Sequence, residues 1–96
     1  MSQQAAPIAE TDITICNKLG MHARAATRFV TAASRFKADI RVRREEREVS
    51  GKSIMGLMML AASKGTTIHI RAEGDDAKEA VGSLKALVEN RFDEGE

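Results

Sequence analysis

Apolar and polar residues alternate at the start of the chain. Over 11–16, Ile13 and Ile15 share one side while Asp12, Thr14 and Cys16 share the other. A period of two predicts a strand with one buried face. From His22 or Ala23 the period lengthens. Ala26, Phe29, Val30 and Ala33 take the i, i+3, i+4, i+7 spacing of a buried helical stripe that extends toward Phe36, and Arg24, Arg28, Thr31 and Arg35 fall elsewhere. Alternation then returns. Ile40 and Val42 point one way, Asp39, Arg41 and Arg43 the other, and Val49 lies inward on a returning strand over 47–50. This predicts a hairpin that turns at Glu45-Glu46. The charges from Arg41 to Glu48 mix signs, which fits a solvated hairpin with cross-strand ion pairs rather than a binding patch.

A second helix is expected after Gly51-Lys52-Ser53, with Ser53 as its N-cap and Gly65 beyond its C-terminus. The helix is apolar nearly all round. Leu57, Leu60 and Ala61 make its inner face, and a two-layer domain cannot also bury Ile54, Met55 and Met58. An exposed patch rich in methionine fits a surface that meets several partners. Ile68, Ile70 and Ala72 predict a strand over 66–72 with Thr67, His69 and Arg71 outward, so His69 reads as an ordinary surface histidine with no ligand-like neighbour. Glu73-Gly74-Asp75-Asp76 is a turn. Asp76 and Glu79 resemble a capping box, and Ala77, Ala80, Val81, Leu84, Leu87 and Val88 form a helical stripe to about Asn90. Asp93, Glu94 and Glu96 close the chain as an acidic tail. The order βαββαβα predicts an α+β two-layer open-faced sandwich: a four-stranded antiparallel sheet covered on one face by three helices, spanning 10–96 behind a flexible tail at 1–9.

Composition narrows the class. The chain has 96 residues, enough for one core without staples. Fifteen basic and 14 acidic residues leave a formal net charge of +1, which gives no polybasic surface for nucleic acid or membrane. With no Trp, no Tyr and three Phe, the aromatic platform of an RNA-binding sheet is missing. Cys16 is the only cysteine, so neither an intrachain disulfide nor an all-cysteine metal site can form, and it reads as a small surface thiol. No apolar run reaches the length of a membrane span. No secretory signal is visible at Met1 to Pro7, and a cytoplasmic, monomeric protein without metal or cofactor is expected.

The sharpest chemical signal is Asn17-Lys18-Leu19-Gly20-Met21-His22-Ala23-Arg24-Ala25. Gly20 permits a sharp turn between strand and helix, and His22 stands where the first amides of a helix lack partners, a place that favours an anion. A neutral imidazole nitrogen can attack phosphorus, and the phosphorus–nitrogen bond so formed is labile enough to pass the group on. The backbone amides of Ala23, Arg24 and Ala25, together with the Arg24 guanidinium, could hold the phosphate oxygens. No nucleotide loop or second general base accompanies them, which suits a relay whose partners bring the rest of the site.

Two stretches resemble the HPr family, the phosphocarriers of the bacterial phosphoenolpyruvate-dependent phosphotransferase system. They are Lys18 to Ala26 and Gly51 to Ala61, and the turn at Ala72 to Asp76 is similar as well. The resemblance runs from about residue 11 to the end and implies the sandwich already derived. It implies that enzyme I phosphorylates His22 at Nδ1, that Arg24 stabilises the phosphate, and that an enzyme IIA domain takes the group away. It implies Ser53 as the residue phosphorylated by HPr kinase/phosphorylase. Met21, Lys52, Ile54, Met55 and Met58 are the expected partner surface. A phosphate on Ser53 would place charge beside that surface and weaken docking to enzyme I. The family usually continues His-Ala-Arg with proline, where this chain has Ala25, so a nitrogen-related regulatory branch stands beside the sugar-transport branch as an alternative. A catalytically silent binding module is a further rival, opposed by His22.

Overall fold

The computed structural model describes residues 6–95. Strand β1 runs Ile8–Thr14, helix α1 Ala23–Ala33, β2 Asp39–Arg44, β3 Arg47–Ser50, α2 Ile54–Met59, β4 Thr67–Glu73 and α3 Ala77–Glu89, followed by a 3₁₀ turn at Arg91–Asp93. The sheet order is β1-β4-β2-β3, antiparallel throughout. Helix α3 lies over β1 and β4, α2 packs on β3, and α1 contacts both α2 and α3. The alternation read from sequence sets the two faces. Ile13, Ile40, Val42, Ile68, Ile70 and Ala72 enter the core with Ala26, Phe29 and Ala33 of α1, Leu57 of α2 and Leu84 and Val88 of α3. The opposite face carries Glu10, Asp12, Arg41, Arg43 and Arg71. Burial of this apolar set at roughly 25 cal/mol per Å² is the main force holding the layers together.

Boundaries differ from expectation where partners are distant in sequence. Strand β1 starts at Ile8, and Ile8 and Ala9, expected in the tail, pair with Glu73 and Ala72. Residues 1–5 of that expected tail lie outside the described residues. Ile15 sits past the ladder, yet its amide donates to Thr66 O at 2.8 Å and its carbonyl accepts from Gly65 N at 2.8 Å. Helix α2 is only six residues long, and Gly65 is not its terminating residue. The side chains of the β2–β3 hairpin meet its end: Arg47 donates to Met59 O at 2.7 Å, and Arg44 to Leu60 O at 3.0 Å and Ala61 O at 3.1 Å. These bonds satisfy carbonyls that a longer helix would have used internally. Ala61, expected on the inner face, instead turns out at φ +51° and is exposed, and Ala62 is buried in its place.

Asp76 also departs from expectation. Its side chain makes no capping bond to α3. Its carboxylate instead accepts from Lys37 N at 2.8 Å and Ala38 N at 2.9 Å, tying the turn before α3 to the entry of β2. Those amides, Lys37 first, hold its pKa below the ordinary Asp value against an opposing desolvation.

Candidate functional site

The turn 17–22 delivers His22 to the start of α1. Gly20 has φ +69°, and a Cβ there would lie 2.5 Å from Ala62 O, so both conformation and space require glycine. Met21 N donates to the same carbonyl at 2.9 Å, which seats the turn on the segment after α2. Met21, expected on the partner surface, is 5% exposed and belongs to the core. It precedes the N-cap, where an apolar side chain commonly packs inward against the first turns of the helix.

His22 is the N-cap of α1. Its ring replaces the usual oxygen: Nδ1 accepts from Arg24 N at 3.3 Å, and Ala26 N makes the first intrahelical bond, to His22 O at 2.8 Å. The other nitrogen, Nε2, lies 2.5 Å from Glu94 Oε2. A carboxylate can only accept, so Nε2 carries the hydrogen and Nδ1 the lone pair. Both contacts agree on that tautomer. The ring is partly buried, and Glu94 more so.

Glu94 was placed by sequence only in an acidic tail, and the structure brings it to the site. Asn17, fully buried, donates from Nδ2 to Gly20 O at 2.8 Å and to Glu94 Oε1 at 2.9 Å. One amide therefore braces the glycine turn and the carboxylate together. Desolvation opposes ionisation of Glu94, yet the bonds from Asn17 and His22 and the nearby charge of Arg28 outweigh it and lower its pKa. The tail reaches this place because Phe92 is fully buried and Arg28 donates to its carbonyl. Arg91, Phe92 and Asp93 hold φ of +56°, +54° and +61° in succession. Such a run opposes the chirality of L-residues by roughly 1–2 kcal/mol each, and the Phe92 anchor offsets it. The one trace of this in sequence is a lone aromatic residue among terminal acids.

An open cleft of about 580 Å³ adjoins the ring, lined by Lys18, Leu19, His22, Ala23, Arg24, Arg28, Asp93 and Glu94. Its three cations and the amides at the start of α1 suit an anion arriving at Nδ1. Arg24 is exposed at this rim. Ala25, the third helical residue, is fully buried. Ser53 stands apart from the cleft as N-cap of α2, its Oγ accepting from Gly56 N at 3.0 Å. Ile54, Met55, Met58 and Met59 form an exposed apolar surface, with Met55 73% accessible. Lys52 is exposed beside them, its ammonium donating to Phe36 O at 2.7 Å.

His69 is not the lone surface histidine expected. Nδ1 lies 2.8 Å from Asp12 Oδ1 and Nε2 2.8 Å from Glu10 Oε1. Bonds to Glu10 and then Asp12 raise its pKa despite some desolvation. Antiparallel pairing of β1 with β4 sets Asp12 opposite His69, a neighbour that no local pattern reveals. Cys16 is half-buried, and its thiol donates to Val88 O at 3.3 Å.

A family model described as the PTS HPr component phosphorylation site matches residues 9–90. The chain belongs to the HPr family. A phosphocarrier protein HPr of Pseudomonas aeruginosa is 56% identical over 86 residues, covering 88% of this chain and 96% of the relative. A phosphocarrier protein NPr of Shewanella violacea is 46% identical, covering 88% and 93%. The crystal structure of an HPr from Thermoanaerobacter tengcongensis superposes with a TM-score of 0.87 at 45% identity, covering 90% of this chain and 97% of that one. HPr proteins are phosphocarriers of the phosphotransferase system, intermediates in phosphoryl transfer rather than catalysts. The open sandwich derived from the strand and helix periods is the HPr fold. No helix among the described residues is long and apolar enough to cross a membrane.

Proposed function

We propose that His22 accepts a phosphoryl group at Nδ1 from phosphorylated enzyme I and passes it to an enzyme IIA domain. The observation that supports this most is the orientation of the ring: the Nδ1 lone pair faces the first amides of α1 while Nε2–H is held by Glu94. Attack by Nδ1 on phosphorus breaks the bond to the donor. The Arg24 amide that capped the lone pair is then released to the phosphate oxygens, joined by the amides of Ala23 and Ala25 and the positive end of the helix. The Arg24 guanidinium, exposed at the rim, adds charge-assisted bonds. Positioning and electrostatics are what phosphoryl transfer asks of a protein, and a carrier leaves the remaining groups to its partners.

Partners dock on Ile54, Met55 and Met58, with Met59 and Lys52 at the margin. Ser53 borders this surface, and phosphorylation there by an HPr kinase/phosphorylase replaces its bond to Gly56 N and sets negative charge against the apolar patch. The cytoplasm is the compartment where such a carrier meets these proteins. A nitrogen-related branch is the second reading, favoured by the NPr relative and by Ala25 in place of the family's usual proline.

The test is intact-mass spectrometry after mixing the protein with enzyme I, Mg²⁺ and phosphoenolpyruvate. One acid-labile phosphate is expected, absent in His22→Ala and present in His69→Ala. A phosphate that persists in His22→Ala overturns the assignment.

A further inference from the structure

We infer that Glu94 is a positioning residue that keeps the Nε2 proton on the His22 ring through both halves of the carrier cycle, so that the ring always departs from phosphorus as a neutral imidazole. The inference rests on His22 as the phosphoryl acceptor and goes beyond it by giving a role to the tail.

The chemistry follows from the ring's two nitrogens. On loading, the Nδ1 lone pair forms the bond to phosphorus, and the donor's bond to phosphorus breaks with its electron pair leaving on the donor. The His22 ring already carries hydrogen at Nε2, so it becomes an imidazolium bearing the phosphoryl group, with no proton gained or lost. On unloading, the Nδ1–phosphorus electron pair returns to Nδ1. With Nε2 protonated the leaving group is neutral imidazole. If the proton had escaped, the leaving group would be an imidazolate anion, and transfer would slow sharply.

A carboxylate facing Nε2 prevents that escape. Glu94 Oε2 lies 2.5 Å from Nε2, on the side of the ring away from Nδ1, so it stabilises the charged ring without abutting the phosphate. Serine hydrolases use a buried carboxylate on a histidine in the same way, holding the tautomer and stabilising the imidazolium. Three further observations show that this carboxylate is built in place. The buried Asn17 amide fixes its second oxygen at 2.9 Å. Phe92 anchors the strap that carries it. Arg28 ties that strap to α1 by donating to Phe92 O. The other charged groups at the cleft are Lys18, Arg24 and Arg28 on the side of the loop and helix, and Asp93 on the strap.

The test compares the full-length protein with Glu94→Gln, a near-isostere that keeps an acceptor oxygen but loses the charge, and with Glu94→Ala. Thermal melting first establishes that each variant is folded. Each is then phosphorylated with enzyme I and phosphoenolpyruvate, and single-turnover transfer to an enzyme IIA domain is followed from pH 6 to 9.5. The alkaline fall in rate is expected to begin about one pH unit lower in both variants, the scale of a lost carboxylate neighbour, while rates at pH 6 stay within a few-fold of wild type. ¹⁵N spectra of the unphosphorylated ring are expected to show the Nε2–H form in the wild type and a drift toward the free-imidazole mixture in Glu94→Ala. Folded, phosphorylated variants whose pH profiles coincide with wild type overturn the role of Glu94 and leave the carrier assignment standing. A wild-type protein that takes no phosphate on His22 overturns the carrier assignment and this role with it.

Discussion

On the proposed function His22 does two jobs with one ring, and the residue scale separates them. As an N-cap it satisfies the Arg24 amide. As a carrier it needs a nucleophilic nitrogen. His22→Asn keeps a capping acceptor, so it is expected to melt close to wild type, whereas His22→Ala loses about 1 kcal/mol of stability. Neither variant is expected to accept phosphate. Calorimetry and intact mass on the same samples check the pair, and a phosphorylated Asn variant would contradict the account. Glu94 gives a pH signature. Its pKa in the folded protein lies below the ordinary 4.5, so its stabilising contribution is complete above pH 4.5 and is lost as pH falls through the folded value. The gap in melting temperature between wild type and Glu94→Gln should therefore be steady from pH 7 to 5 and close at lower pH. A gap that persists unchanged at pH 3 would show that the carboxylate charge is not what is stabilising.

At the scale of elements, the turn before α1 is the most demanding piece. Gly20→Ala meets both a disfavoured φ and a contact of 2.5 Å with Ala62 O. It is expected to cost about 1–3 kcal/mol and to slow phosphorylation of His22, because the backbone that aims the ring must move. Thermal melts and initial phosphorylation rates check both effects. An Ala25→Pro variant is expected to fold normally, since Ala26 N makes the first intrahelical bond, and to phosphorylate no more than a few-fold more slowly than the natural protein, since it loses one of the three amides proposed for the phosphate. These elements were legible from sequence to different degrees. Strand faces and helical stripes followed from periodicity because side-chain burial enforces it. The end of α2 did not, because the groups that donate to its terminal carbonyls are Arg44 and Arg47 of a distant hairpin. The role of Asp76 was hidden for the same reason: its carboxylate serves the amides of Lys37 and Ala38 rather than its own helix.

At the scale of the whole molecule, an exposed apolar patch on α2 accompanies the cleft at His22, and on the proposed function the protein that docks on the patch completes the chemistry. Charge on that surface should act on docking and not on the ring. Met55→Asp and Ser53→Asp are each expected to raise the KM of enzyme I for this carrier roughly tenfold with little change in kcat, the loss of one or two apolar contacts in a small interface. Steady-state kinetics with enzyme I check this, and an unchanged KM in both variants would remove the patch from the interface. The position of His22 and the patch was readable from two short motifs. The Asn17–Glu94–His22 network was not, because it joins residues 77 and 72 positions apart through a tail held by the buried Phe92 and by the bond from Arg28 to its carbonyl. The central claim is that phosphorus bonds to Nδ1 of His22, and ³¹P–¹⁵N coupling in protein labelled at its imidazole nitrogens measures that bond directly. After phosphorylation by enzyme I and phosphoenolpyruvate, the account predicts one-bond coupling to Nδ1 of His22 with Nε2 still protonated. Coupling to Nε2, or to either nitrogen of His69, would contradict it.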